Sequence, residues 1–452
     1  MADTIAAIAT GTQISAIGII RLSGDETFRV IDRLFFPYSG KKMSESADRR
    51  LIFGELCDRG GELLDVCLCT ISRAPHSYTG ENTAELQCHG SPTVLRAALD
   101  ELFALGARQA APGEFTKRAF LNGRMELCAA EAVADIIDAE TVECAKNAAG
   151  QLSGAISRKV DGIYSALTDI SSHYHAVLDY PDEDIEDFQL ESYEGSLTSA
   201  LTELERLLQS HERGKLMTGG IPAAIAGRPN AGKSSLLNAL LGYDRAIVTA
   251  IPGTTRDTIE EKLRLGRLTL RLIDTAGIRD TDDEVERLGV ERSRAAMSKA
   301  ELVIAVVDGS GGITDEDREV IAQAEAAPKG IVVLSKRDIA EPDAEITTAL
   351  PVVSLSSVTG DGMDELERVI AEQFPLPEVP AGEILTNVRQ ADAVKRAIEY
   401  MRSALDAMRA GMTPDIVLTE TEGAMSALGE LSGRTVREDV TNRIFQRFCV
   451  GK

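Results

Sequence analysis

Tryptophan is absent from the 452-residue chain and aromatic residues make up only 4% of it. That excludes a surface built to stack unpaired bases on aromatic rings. No apolar run approaches the ~18 residues that cross a bilayer, and the opening stretch MADTIAAIAT has neither a basic leader nor a cleavage pattern. The expectation is a cytoplasmic protein without a stable membrane anchor. Cysteine is sparse and scattered, with seven residues at Cys57, Cys67, Cys69, Cys88, Cys128, Cys144 and Cys449. Cys67 and Cys69 are spaced to share one face of a strand. Their spacing is wrong for C-x-x-C chemistry, and no second pair follows to complete a zinc site. The set reads as reduced, mostly buried thiols. Positive charge is also short: 48 Lys and Arg face 72 Asp and Glu, a formal charge of −24. A field of that sign repels a nucleic-acid backbone, so action on RNA needs a local basic patch or a basic partner. The acids bunch between Asp179 and Glu194, where eight carboxylates meet no Lys or Arg. This reads as a solvated loop, with a cation or partner site as the alternative.

What is present is globular. Hydrophobic residues are 44% and charged residues 27%, and the length suggests about three domains. Residues 1–118 alternate short β-type runs (SAIGIIRLSG, LIFGELC, ELLDVCLCTI, TAELQCHG) with helical stretches such as TFRVIDRLF, which predicts an α+β domain. Over 119–215 Ala, Leu, Ile and Glu recur at helical spacing, predicting long amphipathic helices. From 216 to 375 strand-length runs (IPAAIAG, KLRLGRLTLRLIDT, ELVIAVVDGS, GIVVLSKRD, PVVSLSS) alternate with helical segments, the pattern of a doubly wound α/β sheet. Residues 376–452 turn helical again. The simplest architecture is a helical domain with a nucleotide-binding α/β domain inserted in it.

The strongest chemical signal is Gly227-Arg-Pro-Asn-Ala-Gly-Lys-Ser234, a full G-x-x-x-x-G-K-S between a predicted strand and a predicted helix. Its backbone amides can cradle phosphate oxygens at a helix N-terminus, Lys233 can reach the β and γ phosphates, and the Ser234 hydroxyl suits Mg²⁺. Asp274-Thr275-Ala276-Gly277 closes another apolar strand, where an acid can hold the metal shell and an amide can sense the γ-phosphate. Ser335-Lys336-Arg337-Asp338 ends a third strand, and a carboxylate there can accept two hydrogens from guanine that adenine does not offer. Ser354-Leu355-Ser356-Ser357 ends a fourth, where a backbone amide can meet the guanine oxygen. The ordered trio of phosphate loop, Asp274 to Gly277 and Ser335 to Asp338 predicts GTP or GDP. Ser335 stands where this guanine motif usually has Asn, and the shorter side chain is expected to lose the tie to the phosphate loop. Looser binding and rapid exchange would follow.

Gly253-Thr-Thr-Arg-Asp257, the phosphate loop through Ser235, and Phe448-Cys-Val-Gly-Lys452 carry a more specific likeness. Ser77-Tyr-Thr-Gly-Glu81, Pro112-Gly-Glu-Phe115, Arg118-Ala-Phe-Leu-Asn122 and Ala130-Glu-Ala132 support it. The chain resembles the MnmE, or TrmE, family of tRNA-modifying GTPases from about residue 5 to its last residue. The resemblance implies an N-terminal folate-binding domain that dimerises, a split helical domain, and an inserted P-loop GTPase domain. It implies a homodimer that joins a flavin-dependent partner, MnmG, in a heterotetramer. Together they would modify C5 of the wobble uridine of certain tRNAs to aminomethyl or carboxymethylaminomethyl groups, with a one-carbon unit from tetrahydrofolate.

The resemblance also assigns roles. Nucleotide contacts fall on Asn230, Ala231, Gly232, Lys233, Ser234 and Ser235, then on Thr249, Ala250, Ile251, Pro252, Gly253, Thr254 and Thr255. They continue at Asp274 to Gly277, at Ser335 to Asp338, and at Ser356, Ser357 and Val358. Ile278 occupies the place of the Gln that orients water in Ras-type enzymes and makes no hydrogen bond through its side chain. The resemblance points to Glu286 for that task, with Asp283 and Glu284 as competitors. It implies K⁺ at Asn230, Thr249, Ile251 and Thr254, stimulating hydrolysis when two G domains meet, and Mg²⁺ at Ser234 and Thr255. A 5-formyl- or 5,10-methylenetetrahydrofolate site is implied at Arg21, Glu85, Arg124 and Lys452, and Cys449 has either a chemical or a packing role. The rival reading is a GTP-dependent binding switch on ribosomal RNA or a membrane.

Overall fold

The computed structural model describes residues 3–179, 190–243, 261–273, 297–339, 346–375, 380–435, 441, 444–446 and 448–451. The chain divides into two compact units. One comprises residues 1–134, 151–200 and 396–452, and the other residues 135–150 and 201–395.

In the first unit seven strands form one sheet: β1 (Ile5–Ile8), β2 (Ser15–Ser23), β3 (Phe35–Pro37), β4 (Ile52–Cys57), β5 (Leu63–Ser72), β6 (Thr83–Gly90) and β7 (Arg108–Gln109). Their order is β3-β4-β5-β6-β2-β1-β7, antiparallel except where β1 meets β7. Alternation places Ile20, Leu22, Cys67, Cys69, Ile71, Ala84, Leu86 and Cys88 on one face, packed with Leu95, Ala98, Leu99 and Leu102 of the helix Pro92–Ala104. Ile5 and Ala7 instead join Ala110 and Phe115 in a separate small cluster. TFRVIDRLF does not stay helical to its end. The helix stops at Ile31 and Phe35 enters β3 opposite Leu56, because sheet pairing and burial of Phe35 outweigh the local helical pattern. The predicted long helices are present, with Ala155–Asp179 and Pro414–Ser432 packed together in this unit.

The second unit carries β8 (Ile221–Ala226), β9 (Glu261–Leu265), β10 (Leu268–Leu272), β11 (Leu302–Asp308), β12 (Lys329–Ser335) and β13 (Val352–Ser354). Their order is β13-β12-β11-β8-β10-β9, parallel except for the β9-β10 hairpin. The run KLRLGRLTLRL is therefore two strands rather than one. Gly266 at φ +56° turns the chain, and Leu265 pairs with Leu268. The unbroken apolar runs of β8, β11 and β12 reflect burial on both faces. Ile225, Ile304, Val306, Ile331 and Val333 face Leu236, Leu240, Leu366 and Ile370 on one side. Ala224, Val303, Ala305, Val332 and Leu334 face Ile321 and Ala324 on the other. The fold is thus an α+β N-terminal region, helical segments, and a doubly wound α/β nucleotide-binding region. The parallel register brings the ends of β8, β11, β12 and β13 to one edge, and the order reverses at β8, which places a crevice where its following loop begins.

Six of the seven cysteines are buried and all are free thiols, as expected; Cys449 is exposed. Among the described residues no helix is long and apolar enough to cross a membrane.

Candidate functional site

The loop after β8 is shaped by its glycines and by Asn230. Gly227 lies so close to the Val306 carbonyl that a Cβ would stand 2.4 Å from it. Asn230 (φ +62°) and Gly232 (φ +100°) adopt left-handed conformations, which turn successive amides toward a common centre before the helix Lys233–Tyr243 begins. Lys233 Nζ donates to the carbonyls of Gly227 and Arg228, both at 2.9 Å. Burial lowers its pKa from the usual lysine value. The ammonium thus spans the loop and satisfies carbonyls with bonds that a phosphate can replace. Asn230, Ser234 and Ser235 are exposed at the surface of the loop, and Ala231 is buried beneath it.

The guanine-type loop sits against the same crevice. Ser335, at the end of β12, is buried, and its hydroxyl lies 2.6 Å from the Ala231 carbonyl and 3.2 Å from that of Val307. The expectation that serine would lose the tie to the phosphate loop is therefore corrected. The hydroxyl donates to the loop directly because a Cβ on Gly232 would stand only 3.2 Å from Ser335 Oγ, so the two loops already touch. The inferred looseness and rapid exchange lose that physical basis. Lys336 (φ +63°) reaches Asp308 at 2.6 Å, and Asp338 accepts from the Ser356 hydroxyl at 2.6 Å. Ser356 Oγ also accepts from the amides of Val358 and Thr359, and the Arg337 amide donates to the Leu355 carbonyl. The β12 and β13 loops are locked together, with Ser357 half-buried and Val358 exposed at the rim.

Two residues not singled out by motif support this edge. Asp308 ends β11; burial opposes its charge, but hydrogen bonds from Lys336 and Ser310 prevail and hold its pKa at about 2. Arg228 Nε donates to Asp317, which also closes a capping box with Thr314 at the helix Asp315–Glu325. The acid at the end of LVIAVVD was a readable signal for the first, and Thr314-x-x-Asp317 is a readable capping pattern for the second, although its pairing with Arg228 is not local. Thr249 to Thr255, Asp274 to Gly277, Ile278, Asp283, Glu284, Glu286 and Lys452 lie outside the described residues.

In the first unit Arg21 on β2 and Glu85 on β6 are cross-strand partners and form an ion pair at 2.8 Å. The Arg21 guanidinium lies 5.5 Å from the ring centre of Tyr78 and 5.7 Å from that of Phe115. Its second arm is 3.5 Å from the Gly451 carbonyl. Arg124 donates to the Ser77 carbonyl at 3.1 Å, in the loop that also carries Tyr78. The structure brings Arg21, Glu85 and the tail together and ties Arg124 to the adjoining loop. Tyr78 and Phe115 stood in the quoted motifs without an assigned role. The tail is held by packing of Phe445 and Phe448 with Leu127 and Ala130, and the Cys449 carbonyl accepts from the Gly113 amide. Arg118 is buried among Asp3, Glu81 and Glu114, and pairs with all three.

A doubly wound sheet with a phosphate loop after its first strand and a Lys-Arg-Asp loop at the same edge defines a P-loop guanine-nucleotide-binding protein. Residues 127–449 match the MnmE helical domain family, and residues 4–124 match the GTP-binding protein TrmE N-terminus. The tRNA modification GTPase MnmE of Symbiobacterium thermophilum is 41% identical over 459 aligned positions, covering 100% of this chain and 99% of that protein. Its counterpart from Roseiflexus sp. (strain RS-1) is 42% identical over 464, with the same coverage. The G domain of the T. maritima FeoB iron transporter is 30% identical over 34% of this chain and 98% of that one, at a TM-score of 0.26, too low to bear on the fold. The chain belongs to the MnmE family of tRNA modification GTPases.

Proposed function

We propose that the chain binds GTP at the edge built by Asn230 to Ser235, Ser335 to Asp338 and Ser356 to Val358, and hydrolyses it to drive modification of tRNA. The observation that supports this most is the hydrogen bond from Ser335 to Ala231, which joins the base-binding and phosphate-binding loops in one crevice. In this reading Asp338 accepts from the guanine edge, Ser356 orients that carboxylate, and Lys233 exchanges its bonds to loop carbonyls for phosphate oxygens. Ser234 and Thr255 would hold Mg²⁺, which supplies charge neutralisation on the phosphates. Asn230, Thr249, Ile251 and Thr254 would hold K⁺ where two G domains meet. Glu286 positions the attacking water, a task open to it because Ile278 offers no hydrogen bond.

The proposal extends to the substrate. The arrangement of Arg21, Glu85 and Tyr78 beside Gly451 fits a flat, hydrogen-bonding pterin with an anionic tail: the exposed Tyr78 ring to pack on, a carboxylate to accept N–H groups, and cations for carboxylates, while the buried Phe115 backs Arg21. A 5-formyl- or 5,10-methylenetetrahydrofolate there would supply the carbon for C5 of the wobble uridine, and Arg124, Cys449 and the last residue, Lys452, would serve the same site. The working assembly would be a cytoplasmic homodimer joined by the flavin-dependent MnmG, which would carry much of the tRNA grip for a chain of net charge −24. Segments 1–118, 119–215, 216–375 and 376–452 would act as the folate, first helical, GTPase and second helical parts. Mass spectrometry of nucleosides from tRNA of cells lacking the protein decides the matter. Loss of aminomethyl-type wobble uridines supports it; unchanged modification overturns it in favour of a binding switch on ribosomal RNA or a membrane.

A further inference from the structure

The spacing of cysteines along the chain argues against a metal site, yet strand register brings together a set that the spacing hides. Asp65 and Cys67 lie on β5 and Cys88 on β6. Leu68 pairs with Gln87 and Cys69 with Leu86, so the antiparallel register sets Cys67 opposite Cys88. Their sulfur atoms are 3.9 Å apart and both side chains are buried in the core of the first unit. Asp65, two residues before Cys67, falls on the same side of the strand, and one of its oxygens and the two sulfurs all lie within 4.8 Å of one another. Zinc with Zn–S bonds of roughly 2.3 Å in tetrahedral geometry holds two sulfurs about 3.8 Å apart. The thiol pair already has that separation.

The carboxylate is also held in place. One oxygen of Asp65 accepts from the His89 amide at 2.8 Å, and the other lies 2.7 Å from His89 Nδ1. The Val66 amide also donates to Oδ1, at 2.8 Å, so it is Oδ2, bound by the His89 amide alone, that retains a lone-pair direction for an ion. A histidine supporting a ligating carboxylate from behind is the kind of outer hydrogen bond that fixes ligands in metal sites.

We propose that Asp65, Cys67 and Cys88 form a binding site for a divalent metal ion of borderline softness, zinc above all, with the fourth position left to water. Two sulfurs and one carboxylate favour zinc over Mg²⁺ or Ca²⁺, which take oxygen ligands. On binding, the metal–sulfur bonds form as both thiols release their protons to solvent; no electrons are exchanged. The ion would join β5 to β6, the strand that carries Glu85, and stabilise the sheet by mass action.

The test uses the full chain, free of nucleotide and Mg²⁺, titrated with Co²⁺ as the spectroscopic stand-in for zinc. One equivalent should give the visible bands of tetrahedral cobalt with sulfur-to-cobalt charge transfer, and zinc should bleach them. Cys67→Ser and Cys88→Ser should each abolish the charge-transfer band. Asp65→Asn should weaken binding by at least about tenfold, and Cys449→Ser should leave the spectrum unchanged. Because buried replacements can lower stability by themselves, the second readout is the rise in Tm that zinc produces within each variant: present in the parent and in Cys449→Ser, absent in Cys88→Ala. Absence of sulfur-to-cobalt bands in the parent, their survival in Cys67→Ser and Cys88→Ser, their loss in Cys449→Ser, or undiminished affinity in Asp65→Asn would each overturn the assignment.

Discussion

Ser335 and Asp338 stand three residues apart at the end of β12 and divide the work of the guanine loop. Asp338 is exposed and accepts from Ser356 through one oxygen, which leaves acceptor positions for a base, whereas Ser335 is buried and points back to the phosphate loop. Replacing Asp338 by Asn exchanges one acceptor for a donor. The variant should lose affinity for GTP and gain it for xanthosine triphosphate, as measured by competition for a fluorescent guanine nucleotide. Equal affinity of the parent for GTP and ATP would refute the guanine assignment. Ser335→Ala leaves the Ala231 carbonyl without its partner in a buried setting, a loss of about 1 kcal/mol. The expected result is a several-fold faster release of GDP in stopped-flow measurements; an unchanged rate would mean that the tie does not hold nucleotide.

At the scale of elements, the crevice depends on how closely the loop after β8 approaches β12. Gly232 at φ +100° would hold a Cβ only 3.2 Å from Ser335 Oγ, so Gly232→Ala combines backbone strain of about 1–3 kcal/mol with a small displacement of one loop from the other. Lower urea midpoints together with weaker nucleotide binding should result, and a fully stable variant with parental affinity would contradict the close packing. Asp308 links β11 to the loop after β12 through Lys336. Its folded pKa of about 2 lies below the ordinary 3.8, so its contribution is complete above pH 3.8 and is lost as pH falls through 2. Between those limits the nucleotide-free parent should lose about 2 kcal/mol that Asp308→Asn never had. Urea titrations at pH 5 and near pH 2.5 would expose the difference, and parallel declines for both proteins would rule it out.

For the whole molecule, the decisive question is how charge on the transferring phosphate is neutralised. The sequence offers neither the Ras-type Gln, which is Ile278 here, nor an identifiable arginine finger, while Asn230 is exposed at the surface of the phosphate loop. A monovalent cation of the right radius, caged by oxygens when two G domains meet, meets the need. Hydrolysis should therefore be strongly stimulated by K⁺ and not by Na⁺, and Asn230→Ala should remove the stimulation. GDP with aluminium fluoride and K⁺ should at the same time draw the G domains of two full-length chains together, read as a gain in energy transfer between labels. Identical rates in the two salts at matched ionic strength would exclude the cation role.

Much of this protein was determined by sequence alone, because the signals are local. The phosphate loop is a contiguous octapeptide, and Asp338 follows directly from a strand end. Unbroken apolar runs identify β8, β11 and β12 as parallel strands buried on both faces. Family membership was legible in the same way, from stretches such as Gly253 to Asp257 and Phe448 to Lys452. Tertiary structure decided what depends on pairing between distant segments. Helical periodicity carried TFRVIDRLF through Phe35, but the pairing of β3 with β4 ended the helix early. Ser335 is shorter than the usual Asn, and only the closeness of Gly232 lets its hydroxyl reach the phosphate loop. Arg21 meets Glu85 across 64 positions and Gly451 across 430, and Cys67 meets Cys88 only through strand register. Spacing along a chain reports neighbours on one element; contacts between elements arise from burial and backbone pairing, which the folded chain alone supplies.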